Sequence, residues 1–249
     1  MLEIKDICKE FEIERGVFKR KAGVLQALKG VSFNVQEFKT LGVAGESGSG
    51  KTTLAKIILK LIAPTSGEVL FDADKIKNFR KDVQIIFQNP YNSLNPKMRI
   101  IDAICEPLII HKTAERGHLK EKASQLLTLV GLDKYILNRY PIEFSGGQRQ
   151  RICIARALAS EPKFIVLDEP ISSLDLTIQA QMLDLFMKLK DKLNLTYIFI
   201  SHNLAVIKHI ADSVIIMQNG AIVEQAPADV IFTDPATPYT RSLLHAAKG

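Results

Sequence analysis

The chain has 249 residues, a formal net charge of +6 and a sequence pI near 9.1, with 47% apolar and 24% charged side chains. These proportions suit a soluble globular protein able to bury a full core, as one large domain or a core with a subdomain. No apolar run approaches the roughly 20 residues that span a bilayer, and Met1–Lys5 opens straight into a strand-like pattern with no signal-peptide core. Cys8, Cys105 and Cys153 are far apart and in no metal spacing, which predicts buried small hydrophobes in a reducing cytosol. The moderate positive charge fits a nucleic acid, an anionic membrane surface or a nucleotide, and does not choose among them.

In chain order, Leu2, Ile4 and then Val31, Phe33 and Val35 alternate with polar neighbours, as half-buried strands do. Between them lies a basic insert, Arg15–Lys21, read as a solvated loop. Leu41–Ala44 is a short buried strand, and Leu54, Ile57, Ile58, Leu61 and Ile62 predict a helix that runs until Pro64. A turn at Pro64–Gly67 leads into strands at Glu68–Phe71 and Val83–Phe87. The turn-rich Gln88–Pro96 then gives way to helical periodicity through Ile101, Ile104, Cys105, Leu119, Ala123, Leu126, Leu127 and Val130, with Gly131 as a stop.

Residues 95–155 thus read as a helical subdomain inserted in an α/β core of about 1–94 and 156–225, with a short tail over 226–249. The α/β pattern resumes with strand Phe164–Leu167, a helix near Thr177–Leu193, strand Thr196–Ile200, a short helix near Leu204–Ile210 and strand Val214–Met217. Asn219-Gly220 is a two-residue hairpin signal.

The chemistry concentrates between the first buried strand and the first helix. Gly45-Glu46-Ser47-Gly48-Ser49-Gly50-Lys51-Thr52-Thr53 fits G-x-x-x-x-G-K-[ST], which a chain this long matches by chance roughly once in a hundred. Glycines let successive N–H groups turn inward on an anion, Lys51 adds a mobile charge for the β- and γ-phosphates, and Thr52 offers a hydroxyl to Mg²⁺. A helix starting near Gly50 aims its positive end at the same phosphates, so the stretch predicts nucleotide binding.

Such a loop needs a carboxylate for Mg²⁺ and a group to orient water. Asp168 and Glu169 end the apolar strand Phe164–Leu167, at the edge where open α/β sheets bind ligands. Asp168 is the expected Mg²⁺ carboxylate and Glu169 the expected general base. Ser145 is a candidate N-cap for a helix through Ile152, Ala155 and Leu158, and Gly146 and Gly147 leave its first N–H groups open to a second anion. His202, after strand Thr196–Ile200, suits either a γ-phosphate contact or a packing or capping role. From position alone, Gln88 is a polar residue at a strand end.

Together these stretches resemble the ATP-binding cassette ATPases: Gly45–Thr53 as Walker A, Gln88 as Q-loop, Ser145-Gly146-Gly147-Gln148 as signature, Ile165–Glu169 as Walker B, Ser172-Ser173-Leu174-Asp175 as D-loop and His202 as H-loop. The resemblance covers nearly the whole chain. It implies an α/β P-loop fold with an N-terminal antiparallel β subdomain and an inserted helical subdomain. It further implies a head-to-tail dimer closing over two ATP molecules, each between one subunit's phosphate loop and the other's signature helix, with Asp175 communicating across the interface.

Lys51, Gln88, Glu169 and His202 become the implied catalytic set, and Thr52, Gln88 and Asp168 the Mg²⁺ set. Phe11 becomes the adenine-stacking aromatic, with Phe18 as runner-up. Phe87–Pro96 and Asp234–Leu244 are similar to the ATPases of peptide and nickel importers. That branch implies a second, paralogous ATPase, two permease subunits, an extracytoplasmic binding protein, no nucleic acid, and a peripheral place on the cytoplasmic face of the cell membrane. Longer members carry clustered cysteines near the C-terminus, which this chain lacks, so it groups with shorter members and leans toward metal or metal-chelate import. The competing reading is a non-transport cassette ATPase of DNA repair, chromosome structure or translation, which usually has two cassettes or long coiled-coil insertions.

Overall fold

The structure, a computed structural model, describes residues 1–15, 20–89 and 93–246. Residues 16–19 of the basic insert, Phe18 among them, and residues 90–92 of the turn-rich stretch lie outside the described residues. The strands are β1 (Leu2–Arg15), β2 (Arg20–Val35), β3 (Thr40–Ala44), β4 (Ser66–Phe71), β5 (Val83–Ile86), β6 (Phe164–Asp168), β7 (Thr196–Ile200), β8 (Ser213–Gln218) and β9 (Ala221–Pro227). The helices are α1 (Lys51–Ile58), α2 (Phe79–Asp82), α3 (Ile100–Ile110), α4 (Leu119–Leu129), α5 (Gly146–Leu158), α6 (Leu176–Leu193), α7 (Leu204–Ile210), α8 (Ala228–Thr233) and α9 (Pro238–Ala246). They fall into two compact units, Met1–Lys75 with Tyr197–Gly249, and Ile76–Thr196.

In the first unit β2, β1 and β4 form an antiparallel sheet in that order. Leu2, Ile4, Val31, Phe33 and Val35 point inward, as their alternation predicts, and all are buried. The alternation slips at Asp6, whose backbone is left-handed at φ 46°, so Ile7 rather than Asp6 continues the buried face. Ser32 holds the irregularity: its Oγ accepts from Asp6 N at 2.8 Å and donates to Asp6 Oδ1 at 3.0 Å.

Strand β3, buried at every residue, runs parallel to β7 on one side and β8 on the other, with Gly42 opposite Phe199 and Val214. Burial on both faces is why Leu41–Ala44 and Tyr197–Ile200 read as continuous apolar runs. Asn219 and Gly220, at φ 48° and 83°, close the β8–β9 hairpin.

Helix α1 ends at Ile58, one turn before the periodicity through Leu61 and Ile62 predicts. Lys60 turns left-handed at φ 54°, with Lys60 N donating to Ile57 O at 2.9 Å and Leu61 N to Lys56 O at 2.9 Å. This is a Schellman stop, and it leaves Leu61 half exposed rather than on the core face.

In the second unit β5 pairs parallel with β6, Val83 opposite Phe164 and Ile86 opposite Leu167. The strand stops at Ile86, and Phe87, expected within it, is exposed. The helical periodicity is realised as α3, α4 and α5, which pack on one another around the fully buried Ile104, Leu108, Ala123, Leu127 and Ile152. Gly131 ends α4 at φ 75°, with its N–H on Thr128 O at 3.0 Å and Leu132 N on Leu127 O at 2.9 Å, the same stop that Lys60 makes without a glycine.

A left-handed L-residue costs about 1–2 kcal/mol. Lys60→Gly is therefore expected to stabilise the fold by about 0.5–1 kcal/mol, net of the chain entropy glycine adds when unfolded. Urea denaturation checks it, and a lower midpoint would show that the lysine side chain itself holds the turn.

Candidate nucleotide site

Between β3 and α1 the chain curls tightly, with Gly45, Gly48 and Gly50 at φ 148°, 81° and 104°. A side chain at Gly45 would collide with the Met217 carbonyl of β8, so that position admits glycine alone. Lys51 opens α1 and is only 6% exposed. Its Nζ donates to Gly45 O at 2.8 Å, Glu46 O at 2.7 Å and Ser49 Oγ at 3.3 Å. A buried ammonium is costly unless its protons are used, and the loop uses them.

The loop is also tied from outside, because Gly220 N of the hairpin donates to Ser49 O at 3.1 Å. Gly50 stands at the N-cap of α1 with no side-chain cap, and the first turn has no acidic residue. The positive helix end thus carries no built-in counter-anion, the arrangement that receives phosphate.

Ser201 N donates to Val43 O at 3.1 Å, so the C-terminal ends of β7 and β3 lie side by side. His202, exposed, therefore emerges at the same sheet edge as the phosphate loop. The capping role open to it is taken by Asn203, whose Oδ1 accepts from Ala205 N at 3.0 Å and Val206 N at 3.4 Å. Phe11, on β1 opposite Leu25, is 39% exposed, with Lys9 Nζ 5.1 Å from its ring centre.

In the second unit Asp168 ends β6 at 7% exposure. The next residue, Glu169, is left-handed at φ 48°, a strained geometry for a non-glycine residue of the kind that clusters at functional sites. Ser172 fixes it by donating from N at 3.3 Å and Oγ at 3.1 Å to Glu169 O. Gln88 Nε2 donates to Glu169 Oε2 at 3.2 Å, so the polar strand-end residue and the candidate base are brought together across 81 positions of sequence.

Ser145 caps α5 in a reciprocal pair: its Oγ accepts from Gln148 N at 3.4 Å while Gln148 Oε1 accepts from Ser145 N at 3.1 Å. Gly147 has a packing reason beside the functional one, since a Cβ there would lie 2.7 Å from Ile178 Cγ2 of α6. Asp175 is the N-cap of α6, accepting from Ile178 N at 3.0 Å.

Two of the three cysteines behave as small apolar groups, whereas Cys8, expected to be buried, is half-buried and its Sγ accepts from Gly30 N at 3.2 Å. Cys105 and Cys153 are buried, and burial pushes both thiols up, Cys153 to about 11. Sequence reasoning passed over Glu224 and Tyr239. The first is an acidic residue inside a strand pattern and buried in the fold, and the second is an aromatic in a proline-rich tail.

A lysine held beneath a glycine-rich turn, at the uncapped start of a helix that follows a buried parallel strand, defines a phosphate-loop nucleotide-binding domain. Residues 28–172 match the family model described as ABC transporter. The chain is 47% identical to the Di/tripeptide transport ATP-binding protein DppF of Pseudomonas aeruginosa (strain UCBPP-PA14), over 99% of this chain and 78% of that protein. It is 46% identical to the Oligopeptide transport ATP-binding protein OppF of Bacillus subtilis (strain 168), over 99% of this chain and 82% of that one. Among solved structures, the dimeric post-hydrolysis state of the ATP-binding cassette MJ0796 bound to ADP and Pi superposes with a TM-score of 0.78 at 28% identity, covering 92% of this chain and 99% of that one. The chain belongs to the ABC transporter family and is an ATP-binding, ATP-hydrolysing enzyme coupled to transport.

Removing the Asp175 cap should cost about 1 kcal/mol of stability in Asp175→Ala, while Asp175→Asn should be close to neutral because asparagine caps equally well. Thermal denaturation of the isolated chain measures both. Equal losses in the two variants would show that charge, not capping, is what Asp175 contributes.

Proposed function

We propose that this chain energises an importer of di- or oligopeptides, with Glu169 as the general base of ATP hydrolysis. The observation that carries the catalytic assignment is Glu169 itself, held left-handed at the end of β6 with Gln88 on its carboxylate. A carboxylate fixed this way can take a proton from water without first reorganising. Gln88 orients that carboxylate, and His202, exposed at the sheet edge where the phosphate loop begins, orients the γ-phosphate or the water. Lys51 leaves its loop carbonyls for the β- and γ-phosphates, and the N–H groups of residues 45–53 donate to the remaining phosphate oxygens.

On donor chemistry, Thr52, Gln88 and Asp168 offer the hard oxygen ligands that Mg²⁺ requires, and a buried Asp168 carboxylate favours a nearby cation. An ion held by these residues would neutralise charge developing on the β- and γ-phosphates. Phe11, exposed on its strand with a cation against one face, stacks on adenine. The capped start of α5, Ser145–Gln148, contacts the γ-phosphate held by a second ATPase subunit, with Asp175 at that interface. That the cassette MJ0796 bound to ADP and Pi is a dimer supports the dimer, not the individual contacts.

The peptide cargo is supported by the DppF and OppF relatives, whose names carry peptide transport and no metal. It implies two permease subunits, an extracytoplasmic binding protein and a paralogous ATPase, with this chain peripheral on the cytoplasmic face of the membrane. No helix among the described residues is long and apolar enough to cross one. A permease segment has a place to dock in the second unit: a groove of about 230 Å³ lined by Phe87, Ser93, Glu106, Ile110, His111 and Arg156. Phe87, Ile109 and Ile110 expose apolar surface at 43%, 50% and 66%, which suits a covering partner.

Glu169→Gln is expected to lower steady-state ATP hydrolysis by at least a hundredfold, the order a general base supplies, while ATP now holds the protein as a dimer on size exclusion. Retained turnover would remove Glu169 from the base role. In reconstituted vesicles, ATPase activity should rise with a peptide-loaded binding protein. A response to nickel instead would reinstate the metal reading.

A further inference from the structure

The tail helix α9 brings an aromatic hydroxyl against the phosphate loop. Tyr239 Oη is buried and makes no hydrogen bond of ordinary geometry, although the main chain of Glu46, the second residue of that loop, is close enough to act on it. A buried hydroxyl without a partner costs roughly 1–3 kcal/mol. Burial and the Glu46 carboxylate both push the Tyr239 phenol above its ordinary value, while the Glu46 main chain pulls it back.

Tyr239 cannot swing away to find another partner, because the turn before it is pinned. The buried Glu224 carboxylate accepts from Ala236 N at 2.7 Å, Thr237 N at 3.1 Å and Thr237 Oγ1 at 2.9 Å. Thr237 Oγ1 is 2.8 Å from Oγ1 of the fully buried Thr240. Burial alone would raise the Glu224 carboxyl, but these hydrogen bonds outweigh it and hold the group below its ordinary value. Arg241 closes the turn from the other side, with Nε on Pro235 O and Nη2 on Ala236 O, both at 2.9 Å. Glu224 lies on β9, directly after the hairpin whose Gly220 holds Ser49 O of the same phosphate loop. The hydroxyl and the Ser49 end of the loop are thus anchored to one hairpin.

The loop, by contrast, has a reason to shift. Glu46 O now accepts from Lys51 Nζ at 2.7 Å, a bond that must break when the ammonium turns to phosphate. We propose that Tyr239 is a positioning residue for the phosphate loop: as Lys51 leaves, the loop settles so that the Tyr239 oxygen accepts the Glu46 main-chain N–H in full hydrogen-bond geometry, coupling the tail helix to triphosphate binding. This rests on Gly45–Thr53 being the ATP site.

The test is Tyr239→Phe in the full chain, which removes the hydroxyl and keeps the ring. ATP affinity by calorimetric titration should weaken about fivefold, the effect of one neutral hydrogen bond. The KM for ATP should rise in parallel, with kcat within about twofold, while the thermal midpoint of the nucleotide-free chain rises because the unpaired hydroxyl is gone. Lys51→Ala, titrated alongside, separates the two claims. Unchanged affinity in Lys51→Ala would sink the site itself. Loss in Lys51→Ala with wild-type affinity in Tyr239→Phe would overturn only the role of Tyr239, as would a lowered thermal midpoint in nucleotide-free Tyr239→Phe, which would show that the hydroxyl already holds the fold.

Discussion

An ammonium taken out of water must spend its protons on acceptors, and Lys51 can reach them only if the chain just before it turns back on itself. That single requirement shapes the phosphate loop. Gly45 must approach the backbone of β8 closer than any side chain allows, and Gly48 and Gly50 must take positive φ values. The Gly220 amide of the hairpin must hold Ser49 in place. The surrounding architecture serves the same end: β3 is buried between two parallel neighbours, so its C-terminal exit is fixed, and α1 begins where the loop ends.

The second unit solves a related problem with a carboxylate. Glu169 departs from the strand in a conformation that glycine would adopt freely and glutamate does not. Ser172 and Gln88 hold it there from two directions, through its carbonyl and its carboxylate. Strain retained at the end of a buried strand is consistent with a side chain that must point one way. The other candidate features of this unit have double duties of a plainer kind. Ser145 and Asp175 are helix caps whatever else they do, and Gly147 clears a path for Ile178.

Much of this was legible in the residues. The apolar runs of parallel strands, the Asn219-Gly220 hairpin, the Ser145 cap with Gln148 and the glycine stop at Gly131 are local, because each depends on a few neighbouring side chains and a known backbone preference. Where local reasoning failed, the competing term was also identifiable. Apolar spacing extended α1 to Ile62, but a left-handed Lys60 ended it, and lysine carries no signal for that conformation. Asp6 broke the strand alternation for the same reason, through a bulge that Ser32 supports from 26 residues away.

The amino-acid sequence alone therefore determined the phosphate loop, the strand and helix order, and the family to which the chain belongs, since spacing within short stretches encodes each of them. Tertiary structure alone decided which distant polar groups meet. Gln88 reaches Glu169, and Glu224 fastens the tail turn beside Tyr239, and no periodicity records such contacts. They arise from where parallel strands end and hairpins return, which is a property of the folded sheet and not of any segment within it.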